Sequence, residues 1–187
     1  MYYHIKQAWK KPDKKILRER MINWRKGEAF TRVEKPLRLD RARVLGYKAK
    51  KGFVIIRVRL KRGGHKRPRP NKGRRSKRLH TRKNLKLNYQ KIAEQRTAKK
   101  YRNLKVLNSY KIGKDGVHFW YEVILVDPNH PEIKSDKNIS WIRLNKHKGR
   151  VYRGLTSAGK KSRSLRGKGK GFEKSRPSLG AHSYRAK

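Results

Sequence analysis

The sequence predicts an α+β fold, in which a small mixed or antiparallel sheet packs with helices and long basic extensions leave the core. Segments rich in β-branched and aromatic residues indicate strands, and apolar residues at helical spacing indicate helices. The charge indicates the extensions: 57 of 187 residues are Lys or Arg and 12 are Asp or Glu, for a formal net charge of +45. Leu, Ile, Val and Phe make up about 21% of the chain, just above the roughly 20% below which highly charged chains tend to be disordered. We therefore expect a modest globular unit with segments that become ordered on a partner.

The acidic residues locate the globular unit. Residues 41–93 and 137–172 contain no Asp or Glu, whereas six acids fall within the 43 residues of 94–136. A self-supporting fold favours mixed surface charge, and a segment embedded in phosphate does not. We expect one domain over 1–187. Its predicted parts are N-terminal helices and a basic strand (1–60), an internal basic extension (61–84), a globular core (85–142) and a basic, Gly-rich C-terminal extension (143–187).

Two elements are predicted before the core. A helix begins at Pro12 and carries on one stripe the apolar residues Ile16, Leu17, Met21 and Trp24. A strand covers 52–61, GFVIIRVRLK, where apolar residues at even positions alternate with Arg57, Arg59 and Lys61. Period two places the apolar face inward and the basic face outward.

Within the core, a helix is predicted over 86–101 with Asn88 as its cap. A β-hairpin follows, because LKVLNSYKI (104–112) and HFWYEVILV (118–126) flank a tight turn at GKDG. The second strand is apolar on both faces and is therefore expected to be buried on both sides. A short helix is expected after His130, with Pro131 at its first position.

Two basic segments, which together contain a single acid, carry 27 of the 57 Lys and Arg residues. Of the 23 residues of 61–83, 12 are Lys or Arg, and Gly and Pro argue against regular structure. Such a run is often a solvated tail or a nuclear-import signal, but here it lies between two folded elements, which favours contact with RNA. Residues 143–187 hold 15 Lys and Arg and the single acid Glu173. Glycines in this segment let the backbone follow a polyphosphate surface closely.

Other functional classes find little support in the sequence. Cysteine is absent, the N-terminus lacks the apolar run of a secretory signal, and no stretch approaches the roughly 18 apolar residues of a membrane span. Residues 154–160, GLTSAGK, match most of a nucleotide-binding loop, but Lys161 stands where Ser or Thr should bind magnesium and no apolar strand precedes it. The histidines show no paired metal-ligand spacing. Spacing alone would allow Glu122 and Asp127 to act as a catalytic pair, but we expect them to be salt-bridge partners of the surrounding bases. We expect no catalytic residue, no protein-bound metal and no cofactor beyond Mg²⁺ or K⁺ held by RNA.

Three blocks resemble one family. They are ARVLGYKAKKGFVIIRVRLKRGGHKRP (42–68), LKVLNSYKIGKDGVHFWYEVILVDPNHPEI (104–133) and GLTSAGKKSR (154–163). Together with YYHIKQAWKKP near the N-terminus, they resemble the archaeal and eukaryotic (e-type) large-subunit ribosomal protein fifteen, which is distinct from the bacterial protein of that number. The modest length and simple tail favour an archaeal member.

The resemblance implies a structural role in the large ribosomal subunit, in the cytoplasm. Basic segments would thread through large-subunit ribosomal RNA and stabilise its fold. Neighbouring ribosomal proteins would be the other partners, with no membrane, small-molecule substrate or homo-oligomer. By matched motif, the implied RNA-facing residues are Lys48, Lys50, Lys51, Arg57, Arg59, Arg62, Lys66, Arg67, Lys160, Lys161 and Arg163.

Composition and position add further candidate RNA contacts. They are Lys61, His65, Arg69, Lys72, Arg74, Arg75, Lys77, Arg78, Arg82, Lys83, Lys146, Lys148, Arg150, Arg153, Arg166, Lys168 and Lys170. Tyr47 is a candidate for stacking on a base, because its neighbours are basic and glycine-flanked. A place in the core is the equally weighted alternative for this ring.

Two other functions remain open from residues alone. A free nucleic-acid chaperone or architectural protein would bind RNA and DNA alike and exchange freely. An RNA-modifying enzyme would need a catalytic constellation, which the sequence does not show. The acid-free segment between folded elements favours an RNA-embedded protein, which we expect to bind through many small, additive phosphate contacts.

Overall fold

The computed structural model describes residues 2–69, 71–74, 76–78 and 82–175. The helices are α1 (Tyr3–Lys10), α2 (Lys14–Lys26), α3 (Leu39–Val44), α4 (Tyr89–Lys100), α5 (Pro131–Ser135) and α6 (Ser157–Ser162). The strands are β1 (Phe30–Val33), β2 (Phe53–Lys61), β3 (His65–Lys66), β4 (Arg82–Lys83), β5 (Lys105–Lys114) and β6 (His118–Val126). Single 3₁₀ turns lie at Ser140–Arg143, Asn145–His147 and Glu173–Ser175.

The main sheet has four antiparallel strands in the order β1-β2-β6-β5. β2 pairs with β6 along its whole length, from Phe53 opposite Val126 to Lys61 opposite His118. The predicted α+β class and the hairpin β5–β6 are therefore confirmed. From Trp120 to Val126 every residue of β6 is buried, as expected for an inner strand covered on both faces.

Each face of the sheet carries its own apolar cluster. On one face α4 packs through Ala93 onto side chains that include Ile56, Val58, Val123 and Leu125. On the other face α2 and α3 contribute Trp24 and Ala42 to a cluster with Trp120 and Ile124. The core thus draws on the N-terminal part of the chain as well as on the predicted centre at 85–142. The central strand β2 is the main reason, because it carries residues of both clusters.

Local signals place several helix ends as predicted. The side-chain oxygen of Asn88 accepts a hydrogen bond from the backbone N–H of Lys91 at 2.8 Å and caps α4. His130 Nδ1 accepts from the backbone N–H of Glu132 at 3.3 Å, and Pro131 occupies the first position of α5.

The N-terminus holds two helices before β1, and the sequence prediction located only the second of them. α2 begins at Lys14, where the Asp13 carboxylate accepts from the backbone N–H of Lys15 at 2.7 Å. Of its predicted stripe only Trp24 is buried, and Ile16 is 48% exposed. α1 precedes it and buries no residue, so its formation was not signalled by a core-facing stripe. Among the described residues, no helix has the length and apolar content to cross a membrane.

Candidate nucleic-acid interface

Two acidic side chains at the sheet are buried inside the protein, and the first of them is Glu122. Glu122 on β6 is 1% exposed. Its carboxylate accepts from the hydroxyl of Tyr110 and from the backbone N–H of Leu37, at 3.2 and 3.3 Å to its two oxygens. Burial raises the pKa of Glu122, although these hydrogen bonds and nearby Arg57 oppose the rise.

Glu94 on α4 is the second buried carboxylate and is fully inaccessible to solvent. It accepts hydrogen bonds from the hydroxyls of Ser109 on β5 and Thr156, the cap of α6. Burial raises its pKa, against the pull of the two hydroxyl bonds. One side chain therefore joins α4, the sheet and the C-terminal segment.

Other acids are paired with bases of the same chain. Asp136 lies 2.7 Å from Lys48 Nζ and 2.6 Å from Lys50 Nζ, and these hydrogen bonds hold its pKa well below the ordinary value. Asp115 pairs with Arg25 at 2.8 Å. Asp40 pairs with Arg38 at 3.3 Å. Because these five acids are buried or paired within the protein, they leave little negative charge beside the exposed bases.

Arg57 and Arg59 do not form the outward basic face that the sequence predicts. α2 covers that face of β2, so the Arg57 guanidinium lies 5.1 Å from the centre of the Trp24 ring, and burial lowers its pKa. Arg59 donates to the backbone carbonyls of Trp24, at 3.4 Å, and of Arg25. The alternation of apolar and basic residues along β2 correctly identified the two faces of the strand. It could not show that a helix covers the basic face.

Several other predicted RNA contacts also hold the fold together. Arg62 donates to the carbonyl of Asp115 at 2.7 Å, and Arg150 to that of Val106 at 3.3 Å. Arg153 donates to the carbonyls of Lys146 and Lys148, at 2.6 and 2.7 Å. Arg163 donates to the carbonyl of Arg153 at 3.0 Å. Like Lys48 and Lys50, these side chains use some of their N–H donors for hydrogen bonds within the protein.

Tyr47 requires a correction. Its side chain is part of a core cluster, and the residue is only 8% exposed. The ring packs edge-on against Phe53, with centroids 5.8 Å apart. A buried ring has no face to offer a base, so the alternative of a core position is the right one.

The remaining predicted bases are exposed, and no partner is found for their side chains among the described residues. They are Lys51, Lys61, Lys66, Arg67, Arg69, Lys72, Arg74, Lys77, Arg78, Lys146, Lys148, Lys160, Lys161, Arg166, Lys168 and Lys170. Arg75 lies outside the described residues, as do the side chains of His65, Arg82 and Lys83. The backbones of these last three belong to the short ladder β3–β4, which pairs His65 with Lys83 and Lys66 with Arg82.

The two basic segments meet at one place on the protein. A cleft of about 1030 Å³ is lined by bases of the internal extension, among them Lys61 and Lys66. An adjoining cavity of about 740 Å³ shares Gly63 and Gly64 with it and reaches Lys161 of the C-terminal extension. Sequence reasoning missed three other bases that line these spaces, Lys86, Arg96 and Lys111. Lys86 lies in the acid-free stretch 41–93, which was the available signal for it.

The segment that resembles a nucleotide-binding loop is closed on itself. A Cβ atom at Gly159 would lie 2.7 Å from the Cα atom of Gly154, so the two backbones are in direct contact. Turns, not a strand, lead into Gly154. The Thr156 hydroxyl is already bonded to Glu94 and to the backbone N–H of Gly159. Among the described residues, no cluster of His, Asp and Glu has the arrangement of a metal site.

Comparison with known proteins decides the family. The family model described as Ribosomal L15 matches residues 1–182. The chain belongs to this family. The Large ribosomal subunit protein eL15 of Methanocella arvoryzae is 50% identical over 191 residues, which cover 100% of this chain and 97% of that protein.

Membership confirms the resemblance read from the three sequence blocks. The family is one of ribosomal proteins, which confirms that the chain is a structural protein of the ribosome and not an enzyme. An archaeal relative of this similarity also agrees with the predicted archaeal member.

Proposed function

We propose that this protein is a constituent of the large ribosomal subunit that binds and stabilises folded large-subunit ribosomal RNA through many Lys and Arg contacts with phosphate. The chain's place in the Ribosomal L15 family supports the ribosomal role, and with it a location in the cytoplasm on the large subunit. The RNA contacts and their residues are our inference from charge and exposure. Neighbouring large-subunit proteins are the expected further partners.

The partition of charge supports this function best. Asp40, Asp115 and Asp136 are paired with bases, and Glu94 and Glu122 are buried. The exposed bases of the acid-free segments 41–93 and 137–172 have no acidic partner within the described part of the protein, so their charge is available to an external polyanion. Each phosphate contact releases condensed counterions, so affinity accumulates over many weak contacts and falls steeply with salt.

The candidate contacts divide into two classes. Exposed bases such as Lys66, Arg67 and Lys160 are proposed as primary phosphate contacts. Bases with internal partners, such as Arg59 and Arg153, are proposed to position backbone segments, and any contact they make with RNA uses only their remaining donors.

Sedimentation of the chain with ribosomal particles tests the proposal. We expect the protein to migrate with large subunits through moderate salt and to leave them only at high salt. A free pool without a subunit-bound fraction would contradict the proposal. Rapid exchange between subunits, with equal binding of DNA, would instead support a mobile nucleic-acid chaperone.

A crosslinking map on purified large subunits tests the assignment to residues. Crosslinks between ribosomal RNA and peptides of 61–78 and 143–170 are expected. Replacing 67–81 by a Gly-Ser linker retains the paired residues of β3 and β4 and should strongly impair assembly. Normal assembly of that linker variant would show that the internal extension is not an RNA anchor.

A further inference from the structure

The cleft beside Tyr89 has a lining unlike that of a plain phosphate-binding surface. It lies between the end of β2 with its following loop and the segment that leads into α4. The two adjoining spaces, of about 1030 and 740 Å³, share Gly63, Leu85, Leu87 and Tyr89 in their walls. Small-molecule sites typically enclose about 300–1,000 Å³. The combined space can therefore accept a group larger than a single side chain.

Apolar side chains form part of this lining. Leu60, which is 2% exposed, and Ile92 come from β2 and α4, and Leu85 and Leu87 come from the segment before α4. Such a surface gains little from a phosphate, which it would desolvate. It suits the flat, weakly polar face of a nucleobase or an aromatic ring.

Tyr89 gives the cleft a ring held in place from two sides. Its hydroxyl accepts from the backbone N–H of Gly63 at 2.8 Å. Its ring packs on Phe119, with centroids 4.7 Å apart and planes inclined by 32°. Phe119 is in turn flanked by the cations of Arg62 and Lys111, at 5.2 and 5.1 Å from its centre. A fixed aromatic ring loses little conformational entropy when a second ring packs against it.

Basic residues surround the apolar lining. The larger space is lined by Lys61, Arg62, Lys66, Arg67, Lys86 and Arg96. None of the lining residues is acidic, and the whole stretch 41–93 contains no Asp or Glu. A ligand with a flat apolar body and flanking negative charges is complementary to both surfaces.

We propose that this cleft holds an unstacked nucleotide of single-stranded RNA, with the base against Leu85, Leu87 and Tyr89 and its flanking phosphates on the basic rim. The inference rests on the proposed RNA-binding function and adds to it the recognition of a base. A paired duplex presents phosphates but keeps its base faces stacked, so it satisfies the rim and not the apolar lining. An acidic peptide is the competing ligand that would also satisfy the rim.

A pair of RNA probes separates base binding from phosphate binding. The probes are a short single-stranded uridine oligomer and an oligomer of equal length and charge that lacks bases. Fluorescence anisotropy with the full-length protein, at salt high enough to weaken non-specific binding, should show about tenfold tighter binding of the uridine oligomer. Equal affinity would overturn the cleft proposal and leave the phosphate-binding function intact. Failure to bind either oligomer would instead contradict the proposed function.

A matched pair of variants assigns the preference to the cleft. Leu85→Glu places a carboxylate in the cleft and should abolish the roughly tenfold preference for the uridine oligomer. Val44→Glu makes the same change in charge at a position that is 75% exposed and outside the cleft, and it should retain the preference. A preference that survives in Leu85→Glu, or that is lost equally in both variants, would overturn the assignment.

Photo-crosslinking of the wild-type protein makes the test independent of the folding of any variant. Short-wavelength irradiation of the complex with the uridine oligomer should attach uridine to peptides of 60–68 or 84–92. Adducts found only elsewhere on the chain would overturn the proposal. Displacement of the uridine oligomer by an acidic peptide of equal charge, at equal concentration, would favour the peptide as ligand and would likewise overturn it.

Discussion

Arg57 and Glu122 face each other as register partners on β2 and β6, at the centre of the sheet. Arg57 also lies over the Trp24 ring, and Glu122 is 1% exposed. The arginine therefore compensates a buried carboxylate and fastens α2 to the sheet. Arg57 belongs to the face that the sequence predicts to point outward. In the structure this side chain stabilises the fold, so it is a weaker candidate for RNA contact than the exposed bases.

Replacing Arg57 should destabilise the fold more than replacing an exposed base of the same strand. Arg57→Ala removes a cation that favours the charged form of Glu122, together with the contact with Trp24, and we expect a loss of roughly 1–3 kcal/mol in the free energy of unfolding. Denaturant unfolding of the full chain measures this. Lys61→Ala, at the exposed end of the same strand, is the charge-matched control and should change stability by less than about 0.5 kcal/mol. Equal stability of the two variants would contradict the structural role of Arg57.

The buried carboxylate of Glu94 should make stability depend on pH. Because its pKa is raised in the folded protein, the folded state binds more protons than the unfolded state between the two pKa values. Stability should therefore fall as pH rises from the unfolded pKa, near 4.5, through the raised folded value. Glu94→Gln removes the charge and resembles the protonated acid, because it keeps one acceptor oxygen and places an N–H donor where the other oxygen stood.

The Glu94→Gln variant should thus be more stable than wild type at neutral pH and should lose that advantage in acid. Urea unfolding at a series of pH values measures the difference between the two curves. Glu19→Gln, on the exposed surface of α2, controls for the loss of one carboxylate. Parallel curves for wild type and Glu94→Gln would show that the buried carboxylate carries no such penalty.

Substitution of Lys161 and of Lys105 should distinguish a base that contacts RNA from a base that stabilises the fold. Lys161 is exposed in α6, whereas the Lys105 ammonium donates to the carbonyls of Ile142, Arg143 and Leu144 at 2.8, 3.1 and 3.2 Å. Lys161→Ala should reduce the salt dependence of RNA binding by about one phosphate contact, with stability unchanged. Lys105→Ala should lower stability by roughly 1–2 kcal/mol and leave the salt dependence unchanged.

Binding isotherms at several salt concentrations and denaturant unfolding provide both readouts. Each substitution removes one positive charge, so net charge cannot explain a difference between them. An identical change in salt dependence for both lysines would mean that binding responds to overall charge and not to exposed contacts.

The close approach of Gly159 to Gly154 should make Gly159→Ala costly. The added Cβ would lie 2.7 Å from the Cα atom and 2.8 Å from the carbonyl carbon of Gly154, and backbone cannot move aside cheaply. We expect a loss of about 1–3 kcal/mol and faster amide hydrogen exchange around α6. At Gly116 an added Cβ meets nothing within 4 Å, so Gly116→Ala is the control. Unchanged exchange in Gly159→Ala would contradict this packing.

The sequence predicted the elements whose signals are local. The hairpin β5–β6, the Asn88 cap and the Pro131 helix start each depend on neighbouring residues, and all three are present. The coverage of β2 by α2 was not predictable, because the contact between Arg57 and Trp24 joins distant parts of the chain.

The interface shows the same division between local and long-range information. Absence of acids marked the stretch 41–93, but it could not distinguish Lys50, which is paired with Asp136, from its exposed neighbour Lys51. Tyr47 failed as a stacking candidate for a related reason, since its basic neighbours say nothing about the burial of its ring. The cleft at Tyr89 was missed because its walls come from separate segments that meet only in the folded protein.

The pairing of β2 with β6 sets the order in which a newly synthesised chain can fold. β2 ends at Lys61 and its central partner ends at Val126, so the strongly basic stretch 61–83 is translated before the sheet can close. At roughly 5–20 residues per second, that interval lasts several seconds. During it the apolar face of β2 lacks its main neighbour while the charged stretch is already accessible to polyanions. If the proposed RNA contacts form during synthesis, we expect nucleic acid to bind the charged stretch before the core is complete.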